Sequence, residues 1–318
     1  MAEKVGIIGA GQVGAAAGFL LAGTPGIAEL VLVDLDRARA ESEAADIAHA
    51  AAFGHAPIVR AGGYADLAGA AVVVVTAGVS LKPGQTRLDL LASNVAVVAK
   101  VIAEVTAHAP EAVLLFATNP VDVMPMVAAR HFGVPPSRAI GTGCALDSAR
   151  FRDRLARHLG IGPGAVHAHV LGEHGDSEVL VWSAAQVGGL PLLRFAETIG
   201  QPIGPETMEQ ISQDVRRSAY RIKEGKGVSN YGIAGCIARL TRAIVNDEQV
   251  VFSISTPMPS LLGVSETCVS LPHILGRRGA SPPLLPPLDA AEEAALRRSA
   301  GIIAEATSFA LASLTHQD

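Results

Sequence analysis

The amino-acid sequence predicts an α/β protein built on a doubly wound parallel sheet. Short, continuously apolar runs rich in Val, Leu and Ile recur through the first half, as expected of parallel strands covered on both faces. Ala-rich stretches long enough for helices separate them, giving a βαβ rhythm. A glycine-rich turn joins the first apolar run to the first helical stretch.

Taken in order, strands are expected at Val5–Ile8, Leu30–Val33, Val72–Thr76 and Val113–Ala117, and helices at Gly11–Leu21, Arg37–His49 and Leu88–Ala107. The second half is less regular. Asp147–Leu159 reads as a helix, Val166–Leu171 as a strand and Gly172–Ser177 as a polar turn. A long helix is expected from Pro202 to Tyr220 and another from Tyr231 to Val245. Val250–Ser255 and Cys268–Leu271 have the β-branched content of strands. A Pro-rich stretch, Ser281 to Pro287, precedes a final helix from Ala290 to Leu314. This mixture suggests an α+β substrate domain behind the parallel one. The boundary is expected near Gly141–Gly143, giving domains 1–141 and 142–318.

Composition narrows the function classes. With 318 residues, 49% of them hydrophobic and 17% charged, the chain can bury a sizeable core. A net charge of −5, scattered and without a basic stripe, argues against a nucleic-acid partner. Cys144, Cys236 and Cys268 are odd in number and far apart, which argues against a disulfide framework or structural zinc and fits a reducing, cytoplasmic compartment. The first residues lack the pattern of a signal peptide, and apolar runs such as Val72–Val75 and Val113–Phe116 are too short to span a bilayer, so no membrane association is expected.

The glycine turn is Gly9-Ala10-Gly11-Gln12-Val13-Gly14, a G-x-G-x-x-G between a strand and a helix, with Asp34 ending the next strand 20 residues after Gly14. Alone such a turn is a weak signal; the context makes it a Rossmann-type dinucleotide site. The glycines allow backbone to approach a pyrophosphate, and the helix N-terminus offers unpaired N–H groups and a positive dipole end. Asp34 can accept hydrogen bonds from ribose hydroxyls, and its charge would repel a 2′-phosphate, favouring NAD over NADP. A plain strand-ending turn residue is the competing explanation of Asp34.

Four polar features fall where strands give way to loops. Thr76-Ala77-Gly78 is followed by the Pro-Gly segment Lys82 to Arg87, a candidate lid that would carry Arg87 onto a substrate. Thr118-Asn119-Pro120 closes a buried strand, where Asn119 either donates to a carbonyl oxygen or simply initiates the turn. Asp147 and Arg150, three apart on a helix, share a face. His174 sits between glycines in Gly172-Glu173-His174-Gly175-Asp176. Together they suit hydride transfer to a 2-oxo acid. Histidine donates a proton near neutral pH, Asp147 orients it, Arg150 anchors the substrate carboxylate and Arg87 polarises the carbonyl.

These blocks, with Leu146 to Arg152 and the C-terminal Ser270-Leu271-Pro272 and Leu275-Gly276-Arg277, occur in an order that resembles the L-lactate/malate dehydrogenase superfamily over nearly the whole chain. The lactate branch is the more similar, from Asp147 to Arg152 and from Lys223-Glu224-Gly225-Lys226-Gly227. The resemblance implies His174, Asp147 and Arg87 as catalytic groups, and Arg150 and Asn119 as substrate ligands. It implies a cofactor site of Gly9, Gly11, Gln12, Val13, Gly14, Asp34, Thr76, Ala77, Gly78, Asn94, Thr118 and Asn119, holding NAD. It also implies a small 2-oxo or 2-hydroxy acid substrate, reversible pyruvate to L-lactate chemistry in glycolysis, and a homotetramer or a dimer with the same interface.

Two positions depart from the family pattern. Leu81 stands where lactate enzymes usually carry Gln and malate enzymes Arg, and Ser229 where lactate enzymes commonly have Thr. Leucine cannot pair with a second carboxylate, which disfavours oxaloacetate and leaves pyruvate and bulkier apolar 2-oxo acids as alternatives. Arg152 and His167 resemble the pair that binds the allosteric effector fructose 1,6-bisphosphate across a subunit interface; an interior strand histidine is the other reading of His167. His167-Ala168-His169 lacks a third ligand at metal-binding spacing, so no metal is expected. A dinucleotide-binding regulatory protein without turnover is the alternative of a different class, and the intact polar set argues against it.

Overall fold

The computed structural model describes residues 3–79 and 87–315, with the backbone alone at Arg87 and Thr315. Leu81 and most of the expected lid therefore lie outside the described residues, as does the Arg87 side chain.

The first half is the expected alternation. β1 (Glu3–Ile8), α1 (Gln12–Ala22), β2 (Ile27–Val33), α2 (Arg37–Ala51) and β3 (Ile58–Ala61) form one wing; β4 (Ala70–Val75), α3 (Arg87–His108), β5 (Val113–Phe116), α4 (Met124–Phe132) and β6 (Ala139–Gly141) form the other. The six strands run parallel in the order β3-β2-β1-β4-β5-β6, the doubly wound arrangement with its switch point between β1 and β4. Side chains alternate between two apolar layers. Val72, Val74, Val113 and Leu115 pack with α1, α2 and a later helix on one face. Val73, Val75, Leu114 and Phe116 pack with α3 and α4 on the other. Among the described residues α3 is the one helix long and apolar enough to cross a bilayer by length and composition. Here it turns Val95, Val98, Ile102 and Val105 onto the sheet.

The second half begins with α5 (Ala145–Leu159) and five short strands. They are β7 (Val166–His167), β8 (Val170–Leu171), β9 (Val179–Leu180), β10 (Gln186–Val187) and β11 (Leu190–Pro191), β7 pairing with β10. The single strand expected over Val166–Leu171 is thus two, joined to different partners. Helices α6 (Leu192–Thr198), α7 (Pro205–Lys226) and α8 (Tyr231–Val245) follow. Then come β12 (Val250–Ser255), the hairpin β13 (Met258–Leu261) and β14 (Val264–Thr267), β15 (Ser270–Gly276), β16 (Gly279–Ala280) and α9 (Ala290–Thr315). The strand expected at Cys268–Leu271 begins at Ser270 and runs further. β12, β15 and β16 do not form a separate sheet. They continue the first one beyond β6 in antiparallel sense, making nine strands among the described residues. α8 packs across α1 and completes one helical layer, while α9 lies with α3 and α4 in the other.

Candidate active site

The glycine turn follows β1 at the switch point. Gly9 has φ of +100°, and a Cβ there would stand 2.6 Å from the Ala77 nitrogen. A Cβ on Gly14 would stand 1.9 Å from the Gly9 carbonyl oxygen, so only glycine lets α1 start this close to β1. At Gly11 a Cβ would meet nothing within 4 Å; it would project into the open space before the N-terminus of α1. Among the described residues no side chain caps that terminus, leaving the amides of Gln12, Val13 and Gly14 for an anion. A cavity of about 440 Å³ runs from Gly9 and Gly11 past Asp34 to Thr76, Ala77 and Gly78. The residues fit a dinucleotide: a bare helix end for pyrophosphate, and an acidic residue at the tip of β2 for a ribose.

Asp34 is tied down on both oxygens, by the Ala10 amide at 2.6 Å and the Asp36 amide at 2.9 Å. Thr76 donates to the Ile8 and Gly9 carbonyls, and Thr118 to those of Val75 and Ala77. Asn94 is buried, and its amide is spent on backbone. It accepts from Val79 at 2.7 Å and donates to the Asn119 carbonyl at 2.8 Å. Its part in a cofactor site is therefore to tie the two loops that form the rim. Asn119 itself is exposed, before a cis bond to Pro120.

The other polar groups come from α5 and the loop from Gly172 to Glu178, which is joined to the turn after Asn119 by the His174–Asp122 hydrogen bond. Asp147 is buried near the start of α5, and its two carboxylate oxygens face two partners. Oδ2 meets His174 Nδ1 at 2.6 Å, and Oδ1 accepts from Arg150 Nη1 at 2.7 Å. Sequence spacing placed Asp147 and Arg150 on one face; the structure adds that the guanidinium steadies the carboxylate which holds the histidine. The His174 side chain keeps 28% of its surface exposed, against 3% for Asp147. Burial works against the imidazolium, but the charge of Asp147 and the hydrogen bond to it outweigh burial, pushing His174 up to about 9. Burial likewise opposes the Asp147 charge, yet His174 and Arg150 hold its carboxyl below the usual range. With Nδ1 engaged, Nε2 is left to exchange a proton with a substrate.

The loop is fixed over its first three residues. Gly172 and Ser270 exchange backbone hydrogen bonds, and Ser299 of α9 accepts from the Glu173 amide at 2.7 Å. The His174 amide donates to Asp122 Oδ2 at 2.7 Å. Asp122, two residues beyond the Thr118-Asn119-Pro120 turn, and Glu178 carry no signal of their own in the sequence. Both prove buried beside the histidine. Burial, with the charge of Asp147 adding, pushes Glu178 up to about 8.

Other expected residues lie apart. Ser229 is half-buried in the short link between α7 and α8. Arg152 is half-buried on α5, with Nη1 reaching the Ala168 carbonyl at 3.4 Å. His167 is exposed on β7, not in an interior. His169 lies beyond the end of β7, with Nδ1 3.2 Å from Ser253 Oγ, and burial pushes it down to about 4. His167 and His169 therefore do not share one strand.

A dinucleotide crevice at the switch point, faced by an acid-held histidine and an arginine, defines the class as NAD-dependent oxidoreductases. Comparison with known proteins makes this particular. The chain belongs to the lactate/malate dehydrogenase family: residues 3–141 match its NAD binding domain and residues 144–311 its alpha/beta C-terminal domain. It is 54% identical over 306 residues to the L-lactate dehydrogenase of Thermus aquaticus, covering 96% of this chain and 98% of that one. It is 47% identical over 300 residues to the L-lactate dehydrogenase of Allorhizobium ampelinum, covering 94% and 97%. Among solved structures, it superimposes with a TM-score of 0.93 on MGS-M5, a lactate dehydrogenase from a Medee basin deep-sea metagenome library, at 35% identity over 97% of this chain and 98% of that one. The minor L-lactate dehydrogenase of Enterococcus mundtii gives 0.92 at 33% identity, covering 96% and 98%.

Proposed function

We propose that the chain is an NAD-dependent L-lactate dehydrogenase, reducing pyruvate reversibly to L-lactate, with His174 as the proton donor. The observation that carries the reading is the 2.6 Å contact between His174 Nδ1 and an Asp147 whose other oxygen is held by Arg150. NADH, when bound, supplies the hydride. His174 Nε2 gives a proton to the keto oxygen as charge develops there, and Asp147 stabilises the imidazolium beforehand and keeps the ring oriented. The remaining arms of Arg150 suit a substrate carboxylate, and Asn119 and Arg87 are assigned to the keto oxygen by family resemblance.

Leu81 and Ser229 bear on the side-chain pocket. An apolar residue and a smaller one favour pyruvate over oxaloacetate and admit bulkier apolar 2-oxo acids. Steady-state oxidation of NADH against a panel of 2-oxo acids tests the assignment. We expect pyruvate and its larger apolar homologues to turn over and oxaloacetate to be poor. NADH binding without turnover of any of them would overturn the reading in favour of a regulatory protein.

The division at 141 and 142 belongs to the same proposal and is supported by the spans of the two family domains. So do a cytoplasmic, glycolytic setting, which unpaired Cys144, Cys236 and Cys268 suit, and a homotetramer. Fructose 1,6-bisphosphate is the proposed effector. An exposed His167 and a half-buried Arg152, whose guanidinium reaches the carbonyl of the adjacent Ala168, would double into a four-cation clamp across a two-fold axis. Sizing in solution with and without the bisphosphate tests both; an unchanged monomer would refute them.

A further inference from the structure

We propose that Asp122 is a positioning residue for the proton donor: its buried carboxylate grips the main chain of His174 and supplies a second negative charge to the imidazolium, joining the histidine loop to the turn that carries Asn119. The inference rests on the reading of His174 as the donor.

Asp122 is 2% exposed and lies three residues beyond Asn119, in the turn between β5 and α4. Its Oδ2 takes the His174 amide at 2.7 Å, while Asp147 takes the same residue's ring at 2.6 Å. His174 is thus held at both ends by carboxylates from two different elements. The Asn119 carbonyl is fixed by Asn94, so the segment between them ties the crevice side and the histidine side of the site together. The spacing between the proton donor and the cofactor-side rim is set through this short stretch.

Structure alone does not call for a carboxylate here. A neutral amide or hydroxyl would satisfy one N–H without the cost of burying a charge. The other oxygen, Oδ1, is buried without a hydrogen bond of ordinary geometry among the described residues, and the Ser255 hydroxyl lends it only weak support. Burial accordingly pushes Asp122 up to about 6, against the pull of His174. The charge that survives above that pH favours the protonated imidazole. The other groups around His174 are Asp147 and Arg150 on α5, Glu173 and Glu178 on the loop itself, and Arg216 of α7, which reaches the Glu178 carbonyl.

The test is the pH dependence of kcat/KM for pyruvate at saturating NADH, in wild type, Asp122→Asn and Asp122→Glu. Asn keeps an acceptor for the His174 amide and removes the charge; Glu keeps the charge and misplaces the grip. In wild type the rate should fall on the alkaline side as His174 loses its proton. We expect D122N to move that limb down by about half a pH unit or more, and D122E to leave it within roughly 0.2 units while lowering kcat. NADH affinity, read by fluorescence, should stay within about twofold in both. A limb that stays in place in D122N, or moves alike in both variants, overturns the proposal. If D122N fails to fold, D122E decides: an unmoved limb with lowered kcat supports it, and a moved limb overturns it. Either result leaves the role of His174 standing, since that is read from turnover after replacing His174 itself.

Discussion

At the scale of single residues, the site is one imidazole between carboxylates. Its pH behaviour follows with a definite sign. His174 is raised, to about 9, so the donor stays protonated across the neutral range and is lost as pH rises through that value. Pyruvate reduction should therefore hold steady through neutrality and fall on the alkaline side, while L-lactate oxidation, which needs the neutral ring, should rise there. A pair of pH profiles in the two directions checks this; reduction failing below neutrality would contradict it. The raised imidazole contributes stability that is fully present below its unfolded value of about 6.5 and disappears as pH rises through the folded one, while the lowered Asp147 carboxyl contributes stability that is lost on acidification. His174, Asp147 and Arg150 were legible in the sequence because each sits in a compact block of unusual polar residues. Asp122 and Glu178 were not assigned, because an acid after a Pro turn or in a polar loop looks solvated until the fold buries it.

Among the elements, the turn from β1 to α1 carries the most information per residue. Gly14 and Gly11 look alike in a G-x-G-x-x-G, yet the structure separates them. Gly14 is enclosed, with the Gly9 carbonyl at 1.9 Å from any added Cβ, whereas Gly11 faces open space. Gly14→Ala should cost on the order of 1–3 kcal/mol of stability by overpacking, seen as a lower Tm even without cofactor. Gly11→Ala should keep the wild-type Tm and lose about tenfold or more in NADH affinity, because its methyl would occupy the approach to the helix N-terminus. Equal melting temperatures for both variants would refute the distinction. Strands with a strong apolar pattern, β1, β2, β4 and β5, were readable to within a few residues. β6 spans only Ala139–Gly141 and gives no periodic signal, and β3 opens on an exposed Ile58. α4 carries Pro125 in its first turn and is short. The break within Val166–Leu171 was hidden because both pieces are β-branched and partner different strands, a tertiary fact.

For the whole molecule, the parallel sheet was predictable from its rhythm, but its continuation was not. β12, β15 and β16 extend it in antiparallel sense through a single pairing of Ser255 with Gly141, a contact between residues 114 apart in sequence. That join matters for function. It seats β15, whose Ser270 holds the Gly172 backbone, against the sheet that carries the dinucleotide crevice. The histidine loop and the glycine turn are thereby set by one continuous scaffold, with α5 and α9 bracing the loop from either side. α1 and α8, which pack together, leave Phe19, Leu20 and Tyr231 exposed, apolar surface consistent with the proposed homo-oligomer. The proton-donor role of His174 on this scaffold is tested most directly by oxidation of NADH by pyruvate in His174→Asn, with NADH binding measured alongside. Turnover should drop by about a thousandfold or more while the cofactor still binds. Turnover close to wild type in a variant that binds NADH normally would contradict it.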